Sequence, residues 1–597
     1  MDREPVELGR LAPDEPLGSM PKRGRVRPRA IAWYGFSAFW GHLRHLVASV
    51  IATDNVDSRQ WMVPEPPHKL LERAIDRLGG RGASGAPTLC EAMGGELWID
   101  FVSDTGDDVT VSERVAELFS RGYAVRDEKG VRTLLPRGDV LLLGGDLAYP
   151  VATVREVTRR LVEPWNRVLS RLPPGPPRVL LAVPGNHDWY DGLDGFARLC
   201  QAPCPFEEKL GDEALNPQPS DHPVLAWAEA FARGGQVAKP KAMALSGYEP
   251  VQRTSYFRIP LAPGLELFGV DRQLKRVDER QIAFFKVPSD AAARLVVVPD
   301  PARAWGEARP HGVATLGSLG LVPGESPTLV LAGDIHHYER SSDGPSLHVV
   351  SGGGGAFLHG ARTAARASYG IDAEFPGKRA SRRMLLALPF HVARGGSGWL
   401  VLVLFGLIDA VTLVPAASGQ SEETLGASIG TALLLSLGAA LLVGWRRHRV
   451  HRVVPFAFAF GLALAAIPLE IGQLATGIYA SCAHTATRLG VILALCGVAT
   501  VLSGLLFGAL LATLATLGLN HAQPWAALGV AGFKHFIRLR VRACEGRAEV
   551  AAWVIGIVDP VRGDPPVLVD SFVWSSARGA TRDKDGPDIR PEIECGP

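Results

Sequence analysis

The order of apolar and polar positions divides the chain into unlike stretches. From residue 96, apolar runs of strand length alternate with helical periodicity. ELWIDFVSD (96–104), DVLLLGGD (139–146), RVLLAVPGNHD (178–188), ARLVVVPD (293–300) and TLVLAGDIHH (328–337) each read as a strand running into a polar loop. TSYFRIPL (254–261), LELFGVD (265–271) and SLHVVSGGGGAFL (346–358) add further strands, whereas 112–125 and 151–169 carry helical spacing. Near-continuous apolar strands predict sheets covered on both faces, hence an α/β fold. Before residue 96, a polar, Pro/Gly-rich lead over 1–30 precedes an aromatic stretch, 31–52. His42, Arg44 and His45 interrupt that stretch, which predicts a packed or membrane-surface helix rather than a span. His68–Leu78 reads as a short helix between Pro66-Pro67 and Gly79-Gly80.

From residue 399 the pattern changes again. Four long apolar runs follow, 399–417, 425–445, 453–480 and 489–519, each long enough to cross a bilayer at about 20 residues per span. Lys378, Arg379, Arg382, Arg383 and Arg394 precede the first run. Arg446–Arg452 is a basic cluster after the second, and Lys534, Arg538 and Arg540 follow the fourth. The other two loops are poor in basic residues, so the positive-inside rule places the large N-terminal region and the C-terminus in the cytoplasm. Asp409 and Glu470 are acids within these runs, read either as ion-handling groups or as inter-helix hydrogen-bonding and interfacial groups. After the spans, residues 533–560 predict two strands joined at Glu545-Gly546, able to return to the soluble part. From about 571 the chain is polar and predicted loose.

Composition sharpens this division. The 597 residues carry a net charge of +2, which gives no support to a nucleic-acid binder. The mean hydropathy of +0.11 is an average over a soluble region and a membrane region. Seven cysteines, with Cys200 and Cys204 the lone close pair and no CxxC spacing, predict reduced thiols. The start MDREPVELGR lacks the basic-then-apolar order of a cleavable signal.

Candidate chemistry sits at the strand ends. Ser103–Asp108, Gly144-Gly145-Asp146, Pro184–Asp188 and Gly333–Tyr338 are short polar clusters, each following an apolar run. Carboxylates, an amide oxygen and imidazoles suit Mg, Mn, Fe or Zn, and a carboxylate can bridge two such ions. Gly145-Asp146, Gly185-Asn186-His187-Asp188 and His336, in this order, resemble the calcineurin-like metallophosphoesterase family over roughly residues 96–360. With Ser351–His359, the chain looks like bacterial members fused to a membrane segment.

That resemblance implies a two-sheet metallophosphoesterase-like sandwich flanked by helices, plus a four-helix transmembrane region. It divides the chain into an N-terminal extension (1–95), the phosphoesterase-like domain (96–395), the spans (399–519) and a cytoplasmic tail (520–597). It implies metal ligation by Asp104, Asp146 (bridging), Asn186 and His336, with His187 touching the phosphoryl group. The family's first His falls at Gly106, where Asp107 or Asp108 offers a substitute. Asp334 takes the place of another His, and Asp300 stands near the position of a third. Trading imidazoles for carboxylates moves the preference toward Mg or Mn over Fe or Zn. His337, Arg340 and Tyr149 are substrate-side candidates, and Asp271 is a supporting one. Gly352–Gly355 lacks the Lys and Ser/Thr of a nucleotide loop and reads as close backbone packing.

The resulting expectation is a multi-pass enzyme of the bacterial inner membrane. It would use two divalent ions to hydrolyse a phosphomonoester or phosphodiester, with lipid-linked esters among the substrates that membrane lipids around the anchor admit. The alternative is a degenerate sensor that binds metal or ligand without turnover. A weaker third reading is a transporter-like membrane part regulated by the soluble domain.

Overall fold

The computed structural model describes residues 4–11, 26–35, 64–79, 85–126, 130–202, 243–272, 277–322, 324–364, 367–444, 450–544 and 547–576. The aromatic stretch from residue 36 to 52, the basic residues 446–449, the Glu545-Gly546 turn, Cys204 and the tail beyond 576 lie outside them. Residues 31–35 form no helix. A helix does form at Pro67–Arg77, shifted by one residue from the expected His68–Leu78.

The strands that build the two large sheets are β1 (Glu96–Val102), β2 (Val140–Leu143), β3 (Arg178–Ala182), β4 (Tyr248–Pro250), β5 (Phe257–Ala262), β6 (Leu265–Gly269), β7 (Ala293–Val298), β8 (Thr328–Ala332), β9 (Tyr338–Asp343), β10 (Ser346–Ser351), β11 (Ala373–Phe375), β12 (Lys534–Cys544), β13 (Arg547–Ile557) and β14 (Val567–Ser575). An eight-stranded sheet runs Gly9–Arg10, β14, β13, β12, β1, β2, β3, β4. A seven-stranded sheet runs β11, β9, β10, β8, β7, β6, β5. Side-chain alternation assigns each face. Leu97, Ile99 and Phe101 of β1, Leu539 and Val541 of β12, and Leu295, Val297, Leu329 and Leu331 of the second sheet share one core. The intervening residues Trp98, Leu141, Leu143 and Leu180 turn to the opposite face and pack with Val111, Val115 and Phe119 of the helix Val109–Phe119 (α1) and Trp165 of Glu163–Leu169 (α2). On the other side Phe268, Val296 and Val330 meet Phe285 and Leu316 of the helices Glu279–Lys286 (α3) and Pro310–Ser318 (α4). The two sheets thus share an interior and are covered outside by helices, the mixed α/β arrangement that two-faced apolar strands demand.

Residues after the spans do more than return to this domain. Three strands, not two, form there, and β14 covers residues expected to be loose. Strand β12 pairs antiparallel with β1, Ile537 opposite Phe101 through Arg542 opposite Glu96. Arg538, expected as a basic flank of the fourth span, is fully buried in this ladder. Its Nε and Nη2 donate to Asp100 at 2.7 and 3.0 Å, and the remaining N–H groups donate to the carbonyls of Phe119, Arg121 and Leu135. All five guanidinium donors have acceptors, which is the condition under which a buried charge persists. Lys534 is equally buried and donates to the Ala356 carbonyl. Neither residue marks a membrane flank.

Helix α5 (Lys378–Ala393) precedes four helices long and apolar enough to cross a membrane: α6 (Trp399–Ala417), α7 (Ser421–Gly444), α8 (Val450–Ser481) and α9 (Thr485–Thr516). Asp409 in α6 is fully buried and accepts from Ser503 Oγ of α9 at 3.0 Å, an inter-helix bond. Glu470 is exposed on α8. A short helix, α10 (Gln523–Leu528), leads from the last span back to β12.

Replacing Asp100 by Ala leaves the Arg538 charge buried without its carboxylate, a change that costs about 3–5 kcal/mol. The expected result is a clearly lower urea midpoint for the solubilised full chain. An unchanged midpoint would mean that the pair does not hold the sheet.

Candidate functional site

The polar clusters all emerge at the carboxyl ends of parallel strands. Strands β1, β2 and β3 run parallel in one sheet, and β6, β7 and β8 in the other. Asp104 follows β1, Asp146 follows β2, Asn186 and His187 follow β3, and Asp334 and His336 follow β8. The ends of two covered sheets therefore bring together residues as distant in sequence as Asp104 and Asp334, 230 positions apart.

Three of these acids adopt left-handed backbone, with φ of 59° at Asp104, 53° at Asp146 and 64° at Asp334. Asp tolerates this region better than most residues, yet three occurrences at one site store local strain that surrounding contacts must hold. Those contacts are visible. The backbone N–H of Asp334 donates to both Asp104 oxygens at 3.1 Å, and Ser103 Oγ donates to Asp104 Oδ2 at 2.7 Å. The His187 N–H donates to Asp146 Oδ1 at 2.8 Å. Buried Asp188 accepts from the backbone of Gly185, Asp146 and Leu147, fastening the β2 and β3 loops together.

At the centre stands the Tyr149 hydroxyl, 3.0 Å from Asp104 Oδ1, 3.3 Å from Asp146 Oδ2 and 3.1 Å from His336 Nε2. His336 Nδ1 lies 2.7 Å from the Phe357 carbonyl. A carbonyl only accepts, so Nδ1 carries the hydrogen and a neutral ring turns its Nε2 lone pair to the cluster. Two carboxylate oxygens and an imidazole lone pair thus surround a hydroxyl with a single proton to give. The site is rich in acceptors and short of donors. Its electrostatics agree. Asp146 is pushed well above the usual carboxylate range by burial and by Asp104, Asp188 and Asp334. Burial, then Asp300 and Asp104, raise Asp334 to about 6.

This donor set fits a hard divalent cation in its chemistry: carboxylate and phenol oxygens, plus an imidazole whose other nitrogen is held by a backbone carbonyl. The side chains stand in contact with one another, however. Among the described residues, no three or more His, Cys, Asp or Glu side chains are arranged to hold an ion.

His187 borders the same pocket, its Nδ1 on the Pro150 carbonyl at 2.7 Å and its ring 4.5 Å from that of Tyr149. Asn186 is a neighbour in the turn, with its Nδ2 donating to Tyr190 Oη at 3.0 Å. Other expected residues lie elsewhere. Asp107 accepts from the Ile31 N–H, and Asp108 caps α1 through Thr110 N–H. Asp300 pairs with Arg272 at 3.1 Å and reaches the site only through its field on Asp334. Arg340 is engaged by Asp570 of β14 at 2.8 Å, and His337 faces Glu339 and Trp305. Asp271 accepts from Trp189 Nε1 and Ser255 Oγ, a support under the β3 loop.

Gly106 has a steric reason to carry no side chain. A Cβ there would stand 2.4 Å from the Leu147 carbonyl oxygen, so no side chain fits, while the Gly106 carbonyl accepts from the Tyr149 N–H at 2.9 Å. The backbone contact that excludes an imidazole at 106 positions the phenol. The Gly352–Gly355 run packs as expected: Gly354 N–H donates to the Ser103 carbonyl, and a Cβ on Gly352 would meet Asp104 Oδ2 at 2.8 Å.

Several contributors were not legible as site residues. Trp33, Tyr34, Phe357 and His359 line the pocket with Leu400, Val401 and Leu404 of the first span. The spacing Gly145-Asp146-x-x-Tyr149, with an aromatic one short turn after a strand-end acid, was the available signal for the central role of Tyr149.

No family model and no curated protein matches the chain. Among solved structures, the chain aligns with one titled "GAP50 the anchor in the inner membrane complex of Plasmodium". That alignment has 8% identity over 47% of this chain and 78% of that one, with a TM-score of 0.26. It also aligns with "Structure of PhoD" at 10% identity over 45% of this chain and 59% of that one, with a TM-score of 0.24.

Substituting Gly106 by Ala forces the loop carrying Tyr149 to move, and overpacking of this kind costs about 1–3 kcal/mol. A lower melting temperature of the solubilised chain is expected. An unchanged one would show that the Gly106–Ala148 contact yields without strain.

Proposed function

We propose that the chain is a membrane-anchored, metal-dependent phosphoesterase of the metallophosphoesterase type, hydrolysing a phosphomonoester or phosphodiester. The observation that carries this reading is the convergence of Asp104, Asp146 and His336 on one hydroxyl, in a pocket that also holds His187. Two divalent ions, Mg or Mn before Fe or Zn, would be held by Asp104, Asp146, Asn186, His336 and Tyr149, with Asp334 adjoining. Such ions supply a water acidic enough to ionise near neutrality and neutralise charge on phosphoryl oxygens.

The chain's own groups complete the chemistry. The Pro150 carbonyl fixes His187 Nδ1 as the protonated nitrogen, leaving Nε2 to exchange a proton with the leaving oxygen. Asp188, through its three backbone donors, keeps the His187 turn and the Asp146 loop in register. Trp33 and Phe357 border the acids and exclude bulk water from one side, strengthening every charge interaction inside.

A second reading is a domain that binds metal or ligand without turnover. It draws on Gly106 and Asp334, where imidazoles are missing, and on the direct contacts among the acids. We place the soluble part and the C-terminus in the cytoplasm of a bacterial inner-membrane protein, because Lys378, Arg379, Arg382, Arg383 and Arg394 precede the first span.

The purified chain with Mg or Mn added is expected to hydrolyse an aryl phosphomonoester or diester. His187→Ala should lower kcat by about 10²–10⁴-fold, the usual worth of a positioned acid or base. Metal bound without hydrolysis would favour the second reading, and no divalent metal bound would remove both. For topology, a reporter fused to the C-terminus is expected to read cytoplasmic. A readout from the opposite side would overturn the orientation.

A further inference from the structure

The pocket above the acids has two chemically distinct ends within about 490 Å³. Asp146, His187 and His336 form its polar floor. Leu400, Val401 and Leu404 form part of its wall, and these belong to α6, a helix long and apolar enough to span a membrane. Positions 400, 401 and 404 share one face of that helix. Trp399, one residue earlier, is 64% exposed, and Leu386 and Phe390 on α5 are exposed at 75% and 59%. Exposed Trp and apolar residues at the start of a span mark the depth of the lipid headgroups. At a rise of 1.5 Å per residue, Leu404 lies about 7.5 Å further along α6, at the boundary of the acyl chains. Ala526 of α10, the link from the last span to β12, adds an apolar group to the wall. The acids of the soluble sheets and the start of the membrane unit therefore meet in one cavity.

We propose that the substrate is an amphiphile carried in the bilayer. Its phosphoester head enters against Asp146, His187 and His336, and its first apolar segment lies along Leu400, Val401 and Leu404. This assignment rests on the phosphoesterase reading for the chemistry of the head. The geometry also explains why a phosphoester site is attached to spans at all. A substrate that never leaves the membrane approaches along α6, and the head reaches the floor without carrying its apolar part through water.

The test uses the full chain reconstituted in vesicles with Mn present, doped with phosphatidic acid bearing a photoreactive group on its acyl chain. The comparison is a diacylglycerol bearing the same group, which has the apolar part but no phosphoester. After illumination, adducts are mapped by mass spectrometry, and hydrolysis of phosphatidic acid and of a soluble aryl phosphate is measured separately. The phosphatidic acid probe is expected to label 400–404 about tenfold more than the diacylglycerol probe, the discrimination that charge-assisted contacts to the head provide. Leu404→Asn should reduce that labelling by about tenfold, through loss of one buried leucine contact. Leu474→Gln, on the exposed face of α8 and away from the pocket, should leave it intact. Equal labelling by both probes would show ordinary lipid contact and overturn the proposal. Hydrolysis of the aryl phosphate with no head-selective labelling would also overturn it while the phosphoesterase reading stood. Head-selective labelling without hydrolysis of either ester would keep the amphiphile and remove the hydrolase.

Discussion

The pairing of β12 with β1 is the constraint on which the rest of the molecule depends. One strand lies before the membrane helices and the other after them, and Asp100 and Arg538 lock their outer faces together at 0–1% exposure. A sheet can be built from both sides of a membrane unit only if the chain crosses an even number of times. The four candidate spans among the described residues satisfy that condition. The same ladder brings Lys534 and His535 beside Gly353 and Ala356, so the strand that follows the spans also packs under the loop that supports Asp104.

The site is the place where this architecture concentrates unfavourable terms. Asp104, Asp146 and Asp334 take left-handed backbone, and Asp104, Asp146 and Asp188 are almost wholly buried beside one another. Each feature destabilises on its own, and together they persist because backbone donors from neighbouring loops hold the carboxylates of Asp104, Asp146 and Asp188 in place. Folding alone gives no reason to gather such groups. Strain and like charge gathered in a pocket are the usual mark of a functional site.

Much of this was readable from the chain. Apolar runs that stop at Asp, or at Gly followed by Asp, place acids at strand ends because burial on both faces ends where the strand leaves the sheet. The spans were legible for the same reason at a larger length scale. What was not legible depends on register across long separations. Arg538 looks like a membrane flank until it is seen opposite Asp100, 438 residues away. Asp107 and Asp108 resemble substitute ligands in sequence but are claimed by the Ile31 backbone and by a helix cap. Arg340 resembles a phosphate contact but faces Asp570, on a strand that the polar composition from 571 onward obscured. Tyr149 was visible as a neighbour of the acids, whereas its place at their centre follows from the Gly106 backbone contact.

The β1–β12 ladder also sets an order on the life of the chain. During synthesis β1 emerges hundreds of residues before its partner exists. At about 5–20 residues per second, the 438 positions between Asp100 and Arg538 take roughly 20–90 s to make. For that interval one edge of β1 is an unpaired strand of the kind that recruits other chains, and the Asp100 carboxylate waits without its guanidinium. The sheet closes only after the last of the four long apolar helices has been made, because β12 follows it in the chain. Closure of the sheet therefore waits on all four helices, and a chain that ended before β12 would keep the β1 edge open.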